Sequence, residues 1–267
     1  MNNQDLKTIF GIQEVLKEVG YIDISRLSRE ILEFSQEADI PLSYIIDRLK
    51  KDEPWEYICG KTEFCGNVFK VKPGVLIPRI ETEGLVEIGI KEIEKFPPSS
   101  VIDVGTGSGA VILSLAKYFK DTDIEFIGSD ISKEALSVAE ENRKSLDVQN
   151  CTFVLSDVLD DIHPKGNYML TSNPPYITTR EYLNLEPSVK EYEPRIAMDG
   201  GEDGQSFFKK IFGQIKERKE KPSLAVLECH TPEVFNTQKI LEEYLPYSKV
   251  EIKTDCFGEK RFLKISF

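Results

Sequence analysis

The chain has 267 residues, 40% of them hydrophobic, which is long enough for one large α/β domain and a small second domain. Its 34 lysines and arginines are outnumbered by 46 aspartates and glutamates, so the formal net charge is −12 and a nucleic-acid binder with a basic face is disfavoured. The five cysteines have no CxxC spacing and only two histidines accompany them, which predicts reduced thiols and no metal site. The sequence has no signal-peptide pattern and no apolar run of ~20 residues, so we expect a cytoplasmic protein without membrane contact. With its acidic balance, we expect no DNA partner.

Residues 1–60 have the apolar periodicity of helices and form the first predicted domain. Three helices are expected, and Pro41 is expected to open the third. The apolar positions that define them are Leu6, Ile9, Phe10 and Leu16, then Leu27, Ile31, Leu32 and Phe34, then Leu42, Ile45, Ile46 and Leu49. A helical cap that recognises a partner and a stabilising appendage are equally consistent with this pattern.

Two short β runs, at 62–65 and 68–71, flank Gly66-Asn67 and predict a hairpin with a two-residue turn. We assign residues 61–76 to a hairpin linker and residues 77–267 to the main domain. A helix is predicted over residues 81–95, before a pair of prolines.

From Val101 onward, short β runs alternate with helical segments. The predicted strands are 101–104, 124–129, 151–155, 167–172, 223–229, 248–254 and 260–267, and the predicted helices are 109–119, 132–145, 204–218 and 232–244. Strands separated by helices predict a doubly wound, mostly parallel sheet, and the short turn before residue 260 predicts a final antiparallel hairpin. This α/β order resembles that of the seven-stranded, Rossmann-like methyltransferase fold.

A glycine-rich loop follows the first of these strands and opens a helix. The loop consists of Gly105, Thr106, Gly107, Ser108 and Gly109. Glycines allow close approach of a ligand, and the helix start favours an anionic group. With Ala110 the loop also fits a dinucleotide pattern, so NAD is an alternative, and Asp130 could hold a ribose in either case. Asp103 favours S-adenosyl-L-methionine, because a carboxylate at that place can pair with an amino group that NAD lacks.

Asp157 and Val158 follow the third predicted strand, where a nucleoside base would lie. Asp157 could accept a hydrogen bond from the adenine amino group, and Val158 could pack on the ring. An aspartate that only caps a turn explains the segment almost equally well.

Asn173, Pro174, Pro175 and Tyr176 come directly after a predicted central strand, where open α/β sheets place their ligands. The prolines fix the backbone, so that its carbonyls are rigidly aimed acceptors. Asn173 adds a side-chain acceptor and Tyr176 a flat aromatic surface. Together they suit an –NH2 group on a planar π system, which indicates methylation of an amide or amino nitrogen. Adenine-N6 or guanine-N2 nucleic-acid methylation is the alternative to a protein amide.

With these motifs the chain resembles the HemK/PrmC family, the N5-glutamine methyltransferases of class-1 peptide chain release factors. The resemblance covers nearly the whole chain, and its motifs lie at 54–60, 64–69, 75–83, 103–109, 130–132, 172–177, 192–194 and 199–204. The segment Ile-Pro-Arg-x-Glu-Thr-Glu, at 77–83, is the most specific of them.

The resemblance implies a class I methyltransferase domain that uses S-adenosyl-L-methionine, and an N-terminal helical domain that contacts the release factor. The cofactor is implied to lie on the residues from Gly105 to Gly109, on Asp130 and on Asn173, with Val158 near the adenine. The glutamine of a Gly-Gly-Gln loop is implied to be held by Asn173, Pro174, Pro175 and Tyr176. Arg79, Glu81 and Thr82 are interpreted as ordering the site from behind, or as a charge cluster at a helix start. The stretch 177–204 is longer than connecting loops usually are, so we expect a loop that faces the substrate.

Overall fold

The computed structural model describes residues 3–267. The chain divides into two compact units. The first contains the chain up to Gly60 together with Glu186–Tyr192, and the second contains Lys61–Leu185 and Glu193–Phe267.

The first unit is helical. Its helices are α1 (Asn3–Glu18), α2 (Ile24–Glu37), α3 (Leu42–Leu49) and α4 (Trp55–Cys59). Asp23 caps α2 by accepting a hydrogen bond from the backbone N–H of Arg26, and Pro41 is the residue before α3. Trp55 packs edge-on against Phe34 and donates its indole N–H to Glu30 at 3.0 Å. The three helices expected from the apolar periodicity are therefore present.

The apolar face predicted for α1 was only partly right. Ile9, Ile12 and Leu16 are buried, whereas Leu6 and Phe10 are exposed. Spacings of three and four residues place the buried three on one stripe of the helix, and Phe10 lies beside that stripe. Periodicity found the helix but included residues from a neighbouring face.

The second unit begins with a hairpin of β1 (Lys61–Phe64) and β2 (Asn67–Lys70). Its turn residues are Cys65 and Gly66, not the predicted Gly66-Asn67, because Asn67 pairs with Phe64. Both turn residues have positive φ, and Glu83 accepts the backbone N–H of Cys65 at 2.6 Å. The turn therefore lies one residue earlier than predicted, and a carboxylate distant in sequence binds it.

A seven-stranded sheet forms the centre of the second unit, in the order β5-β4-β3-β6-β7-β9-β8. Its strands are β3 (Ser100–Val104), β4 (Glu125–Asp130), β5 (Cys151–Leu155), β6 (Tyr168–Ser172), β7 (Leu224–Glu228), β8 (Lys249–Thr254) and β9 (Lys260–Ser266). The first five strands run parallel to one another, and β9 is antiparallel to both β7 and β8. The predicted fold class is therefore confirmed.

Apolar side chains cover the sheet on both faces. The helices around it are α5 (Glu83–Lys95), α6 (Ala110–Tyr118), α7 (Lys133–Ser145), α8 (Thr179–Leu183), α10 (Ser206–Glu217) and α11 (Val234–Tyr244). Alternate strand residues belong to different clusters: Val101 packs with residues of α5 and α6, and Ile102 packs with residues of α10. A sheet buried on both faces leaves its strand ends as the accessible region, which is where such folds bind ligands.

The stretch 177–204 is more ordered than the loop expected there. It contains α8, the short helix α9 (Pro187–Lys190) and a turn of 3-10 helix at Arg195–Ala197. Glu186–Tyr192, which includes α9, belongs to the helical unit, and the rest belongs to the second unit.

Candidate active site

The strand order reverses between β3 and β6, and a cavity of about 360 Å³ opens beside the carboxyl ends of these strands. Open α/β sheets bind ligands at this switch point. The residues that line the cavity and were singled out in the sequence are Arg79, Thr82, Asp103, Gly105, Thr106, Gly107, Ser108, Asp130, Asp157, Val158, Asn173 and Pro175. The cavity size is that of a site for one small molecule or cofactor.

The glycine loop connects β3 to α6, and its three glycines adopt a left-handed backbone conformation. Gly105, Gly107 and Gly109 all have positive φ, which L side chains rarely adopt. A Cβ on Gly109 would also lie 2.9 Å from Leu113 and 3.2 Å from Ala139, so glycine is needed for close packing of α6. The loop therefore presents its backbone to the cavity without side chains in between.

Asp103 is buried between the glycine loop and β6. Its two carboxylate oxygens accept hydrogen bonds from the hydroxyls of Thr106 at 2.7 Å and Thr171 at 2.9 Å. Burial raises the pKa of Asp103 to about 7, against the effect of these two hydrogen bonds. A carboxyl that lines a cavity and changes charge near neutral pH is a candidate partner for a cationic ligand group.

Asp130 ends β4 and supports the glycine loop. One carboxylate oxygen accepts the backbone N–H of Gly107 at 2.9 Å, and the other accepts the N–H of Ser132 at 2.9 Å. Burial raises the pKa of Asp130, and the backbone hydrogen bonds act in the opposite direction. The carboxylate is thus held at the edge of the cavity, where its remaining lone pairs can accept hydroxyl protons.

Asp157 and Val158 form the far wall of the cavity. Asp157 pairs with Lys210 of α10 at 2.5 Å, an interaction that the sequence did not indicate. Val158 is buried and has a φ of 60°, which is strained for a β-branched residue. The Ser156 hydroxyl donates to the Val158 carbonyl at 3.2 Å and stabilises this turn.

The segment from Asn173 to Tyr176 leaves β6 at the opposite wall. Asn173 donates its Nδ2–H to the Thr82 hydroxyl at 3.0 Å, and its Oδ1 has no partner among residues 3–267. Pro175 also lines the cavity, whereas Pro174 and Tyr176 do not. The Tyr176 ring stacks on His230, with 5.9 Å between centroids, and its hydroxyl donates to Glu228 at 3.1 Å. One face of the ring is therefore already covered.

A second glycine-rich loop, residues 199–204, packs against this segment and contributes Asp199 and Gly200 to the cavity lining. Ile177 exchanges backbone hydrogen bonds with Met198 and Gly200, at 3.0 and 2.8 Å. A Cβ on Gly200 would lie 2.7 Å from the Pro175 carbonyl, and one on Gly204 would lie 2.5 Å from the Tyr176 carbonyl. The two glycines allow the loop to hold the proline segment by direct backbone contact.

The segment 77–83, the most specific of the family motifs, forms a third side of the site. Glu193, whose side chain is buried, accepts the backbone N–H of Ile77 at 3.0 Å and also binds the Arg79 guanidinium. This ion pair keeps Arg79 at the cavity wall. Thr82 is the residue directly before α5, and its hydroxyl accepts the Asn173 hydrogen bond described above.

Glu228 was not identified as a site residue from the sequence. It ends β7, next to β6, and its side chain contacts the Tyr176 hydroxyl. Burial raises its pKa to about 7, and the hydroxyls of Thr82 and Tyr176 act in the opposite direction. Its position at the carboxyl end of a parallel strand is the signal that could have identified it.

Known proteins with similar sequences decide the family. A family model described as a methyltransferase domain matches residues 96–192. The release factor glutamine methyltransferase of Lactococcus lactis subsp. lactis is 36% identical over 264 residues, which cover 98% of this chain and 95% of the relative. The protein of that name from Bacteroides thetaiotaomicron is 35% identical and covers 97% of this chain and 95% of its own length. The chain belongs to the release factor glutamine methyltransferase family.

A solved structure agrees with the fold. The ribosomal protein L11 methylase of Lactobacillus delbrueckii subsp. bulgaricus superposes with a TM-score of 0.52 at 18% identity, covering 73% of this chain and 83% of that one. Such low identity shows the class I methyltransferase fold alone. Membership of the family confirms the resemblance that was identified in the sequence. It also confirms that the cofactor is S-adenosyl-L-methionine rather than NAD. Nothing in these relatives supports the nucleic-acid alternative.

The part of the chain that the structure describes has no group of three or more histidine, cysteine, aspartate or glutamate side chains placed to hold a metal ion. Within residues 3–267, no helix combines the length and the apolar character that crossing a membrane requires.

The close approach of Gly204 to the Tyr176 carbonyl generates a prediction. Gly204→Ala should lower the methyl-transfer rate roughly 10- to 100-fold, because the new Cβ displaces the segment that follows Asn173. Gly258→Ala is the matched control: Gly258 also has positive φ, but a Cβ there would meet nothing within 4 Å. Both variants should lose stability, measured by urea unfolding, and only the first should lose rate. Equal rate losses in the two variants would contradict the prediction.

Proposed function

We propose that this chain transfers a methyl group from S-adenosyl-L-methionine to the side-chain amide nitrogen, N5, of the glutamine in the Gly-Gly-Gln loop of class-1 peptide chain release factors, and so supports translation termination. The observation that supports it most is the Asn173 amide. Its nitrogen is bound by Thr82, and its oxygen is without a partner in the described chain, at the edge of the glycine-loop cavity.

The cavity residues fit the cofactor. S-adenosyl-L-methionine supplies, when bound, an electrophilic methyl group on a sulfonium centre. Gly105, Thr106, Gly107 and Ser108 line the cavity on the side that suits its carboxylate, and Gly109, which does not line the cavity, begins the helix behind them. Asp103 suits its amino group, and Asp130 suits the ribose hydroxyls. Asp157 and Val158 suit the adenine, with Asp157 as acceptor and Val158 as packing surface.

The proposed catalytic residues are Asn173, Pro174 and Tyr176, with Pro175 as a further substrate contact. An amide nitrogen is a poor nucleophile, because its lone pair is delocalised into the carbonyl. The Asn173 Oδ1 and the rigid Pro174 carbonyl can accept its two protons, which directs the nitrogen towards the methyl group and stabilises the charge that develops on it. Tyr176 contributes the ring face that does not stack on His230.

The release factor is the proposed partner. The relatives are named release factor glutamine methyltransferases, and those names specify a release factor but neither its class nor its loop. We assign recognition of the factor to the helical domain of residues 1–60, and methyl transfer to residues 77–267, with 61–76 as the linker. An acidic chain of net charge −12 favours a protein substrate over DNA. We also propose a cytoplasmic location, because the proposed partner acts in translation.

Mass spectrometry of a release factor tests the proposed function. The purified chain and S-adenosyl-L-methionine should add one methyl group to the glutamine of the folded factor. A factor in which that glutamine is replaced by alanine should gain none, and DNA and RNA should gain none. Methylation of a nucleic acid, or of the substituted factor, would contradict the proposal.

Loss of the Asn173 side chain should separate an enzyme from a protein that only binds the cofactor. Asn173→Ala removes a preorganised acceptor and should lower the methyl-transfer rate on the order of 10²–10³-fold, as deletions of oxyanion-hole donors do. Asn150→Ala is the control, since Asn150 also holds backbone carbonyls, those of Ala116 and Phe119, and does not line the cavity. Both should remain folded by circular dichroism. An unchanged rate in Asn173→Ala would refute the mechanism.

The raised pKa of Asp103 predicts how cofactor binding depends on pH. Burial raises this pKa to about 7, so the carboxyl is neutral below that pH and charged above it. If it pairs with the cofactor amino group, the dissociation constant should rise up to about tenfold per pH unit as the pH falls below 7. The measurement is calorimetry with S-adenosylhomocysteine. In Asp103→Asn the part of the pH dependence that comes from Asp103 should disappear. Any pH dependence that remains is expected from Asp130, whose pKa is also raised by burial. The same pH dependence in both proteins would contradict the pairing.

A further inference from the structure

Glu228 is a buried carboxylate with an unusual set of neighbours. Its side chain is 1% exposed, and one oxygen, Oε1, accepts the Tyr176 hydroxyl at 3.1 Å. The other oxygen, Oε2, has no hydrogen-bond partner among the described residues. An unpaired carboxylate oxygen away from water is costly, so an apolar residue would be preferred here if packing were its only role.

Thr82 connects Glu228 to Asn173. Thr82 is 4% exposed, and its hydroxyl oxygen accepts the Asn173 Nδ2–H at 3.0 Å. Contact with the same hydroxyl favours the charged form of Glu228 and so lowers the pKa of that carboxyl, against the effect of burial. The Thr82 proton and the Glu228 Oε2 are therefore the two groups in this series of contacts that each need a partner.

The direction of these contacts determines how the Asn173 amide is oriented. A hydroxyl has one proton and can accept as well as donate. If Thr82 donates to Glu228, it can only accept from Asn173, and Asn173 must turn its nitrogen to Thr82 and its oxygen away. If Thr82 had no acceptor behind it, its proton could instead bind the Asn173 oxygen. The amide could then turn over at little cost, because its oxygen and nitrogen are nearly equal in size.

The charged groups around Glu228 are compatible with an ionised carboxylate. Arg261 acts on it as a positive charge, while itself paired with Asp255 at 2.6 Å. Glu81 acts as a negative charge in the opposite direction. No group pairs directly with Glu228 in a salt bridge among residues 3–267. Its hydrogen-bond partner in the described chain is thus the Tyr176 hydroxyl rather than a cation.

We propose that Glu228 is a positioning residue, which acts through Thr82 to hold the Asn173 amide with its oxygen towards the substrate and through Tyr176 to hold the other end of the same segment. This inference rests on the proposed function for the identity of the substrate. Glu228 contacts neither cofactor nor substrate and acts only through the two hydroxyls. It links the C-terminal end of β7 to a segment that leaves β6.

Glu228→Gln is the decisive variant, because glutamine keeps the shape but donates protons where glutamate only accepts. We expect kcat to fall about 10- to 100-fold, while the dissociation constant of S-adenosylhomocysteine and the urea midpoint stay close to wild type. Glu92→Gln is the matched control: Glu92 is partly buried and binds Lys264 at 2.8 Å, and it does not line the cavity. It should keep the wild-type kcat. A wild-type kcat in Glu228→Gln would overturn the proposal.

A double-mutant cycle tests whether the effect passes through Thr82. Thr82→Val removes the hydroxyl and should lower kcat, whereas Thr82→Ser retains it and should restore kcat. The double variant with Glu228→Gln should be no slower than the slower single variant, because the two substitutions break the same connection. Rate reductions that multiply would show independent roles and overturn the proposal. If Glu228→Gln fails to fold, a wild-type kcat in Thr82→Val is sufficient to overturn it.

A measurement without substrate separates this inference from the proposed function. In isotope-labelled protein, a nuclear Overhauser effect should connect the Asn173 side-chain NH2 to the Thr82 methyl group. We expect the signal to persist in Glu92→Gln and to disappear or fall to half its intensity in Glu228→Gln. An unchanged signal in Glu228→Gln overturns the positioning role, whatever the substrate. If the signal disappears as expected but the wild type methylates no release factor, only the proposed function is overturned.

Discussion

The hydrogen bonds of Asp103 connect the two halves of the candidate active site. This carboxylate accepts from Thr106 of the glycine loop at 2.7 Å and from Thr171 of β6 at 2.9 Å. The Ser172 hydroxyl adds a bond from β6 to the Val104 carbonyl at 2.6 Å. Because β3 and β6 are parallel neighbours buried on both faces, their carboxyl ends keep a fixed register. The cofactor cavity and the residue that follows β6, Asn173, are therefore set at a constant spacing, on which methyl transfer depends.

Rigidity at Asn173 comes from contacts on two sides. On one side, Gly200 and Gly204 bring the loop 199–204 directly against the carbonyls of the proline segment. Behind, Thr82 binds the Asn173 amide and Glu228 binds the Tyr176 hydroxyl. The prolines by themselves restrict the backbone of this segment, but they do not determine its direction. The contacts with the loop, Thr82 and Glu228 determine that direction. Transfer to an amide nitrogen requires such fixed acceptors, because the enzyme must bind the charge that develops in the transition state better than it binds the neutral amide.

The family motifs around the cavity also hold the site together. Glu193, in the motif at 192–194, holds Arg79 and the backbone of Ile77. The motif at 199–204 is the loop that supports the proline segment. The motif at 77–83 supplies Thr82 to Asn173 and Glu83 to the hairpin turn at Cys65. Each motif therefore orders a part of the chain that is distant in sequence, which explains why they extend over nearly the whole length.

The sequence by itself determined the order of strands and helices, the glycine loop and the Asn-Pro-Pro-Tyr segment, because these depend on local periodicity and on the backbone preferences of glycine and proline. It also identified the family. Only the tertiary structure decided that Leu6 and Phe10 are exposed, that the hairpin turns at Cys65 and that Asp157 pairs with Lys210. The same is true of Thr82, Glu193 and Glu228, whose partners lie 91, 114 and 52 positions away along the chain. Contacts over such separations leave no local pattern, since they arise only when folding brings segments that are distant in sequence together at the carboxyl ends of the sheet strands.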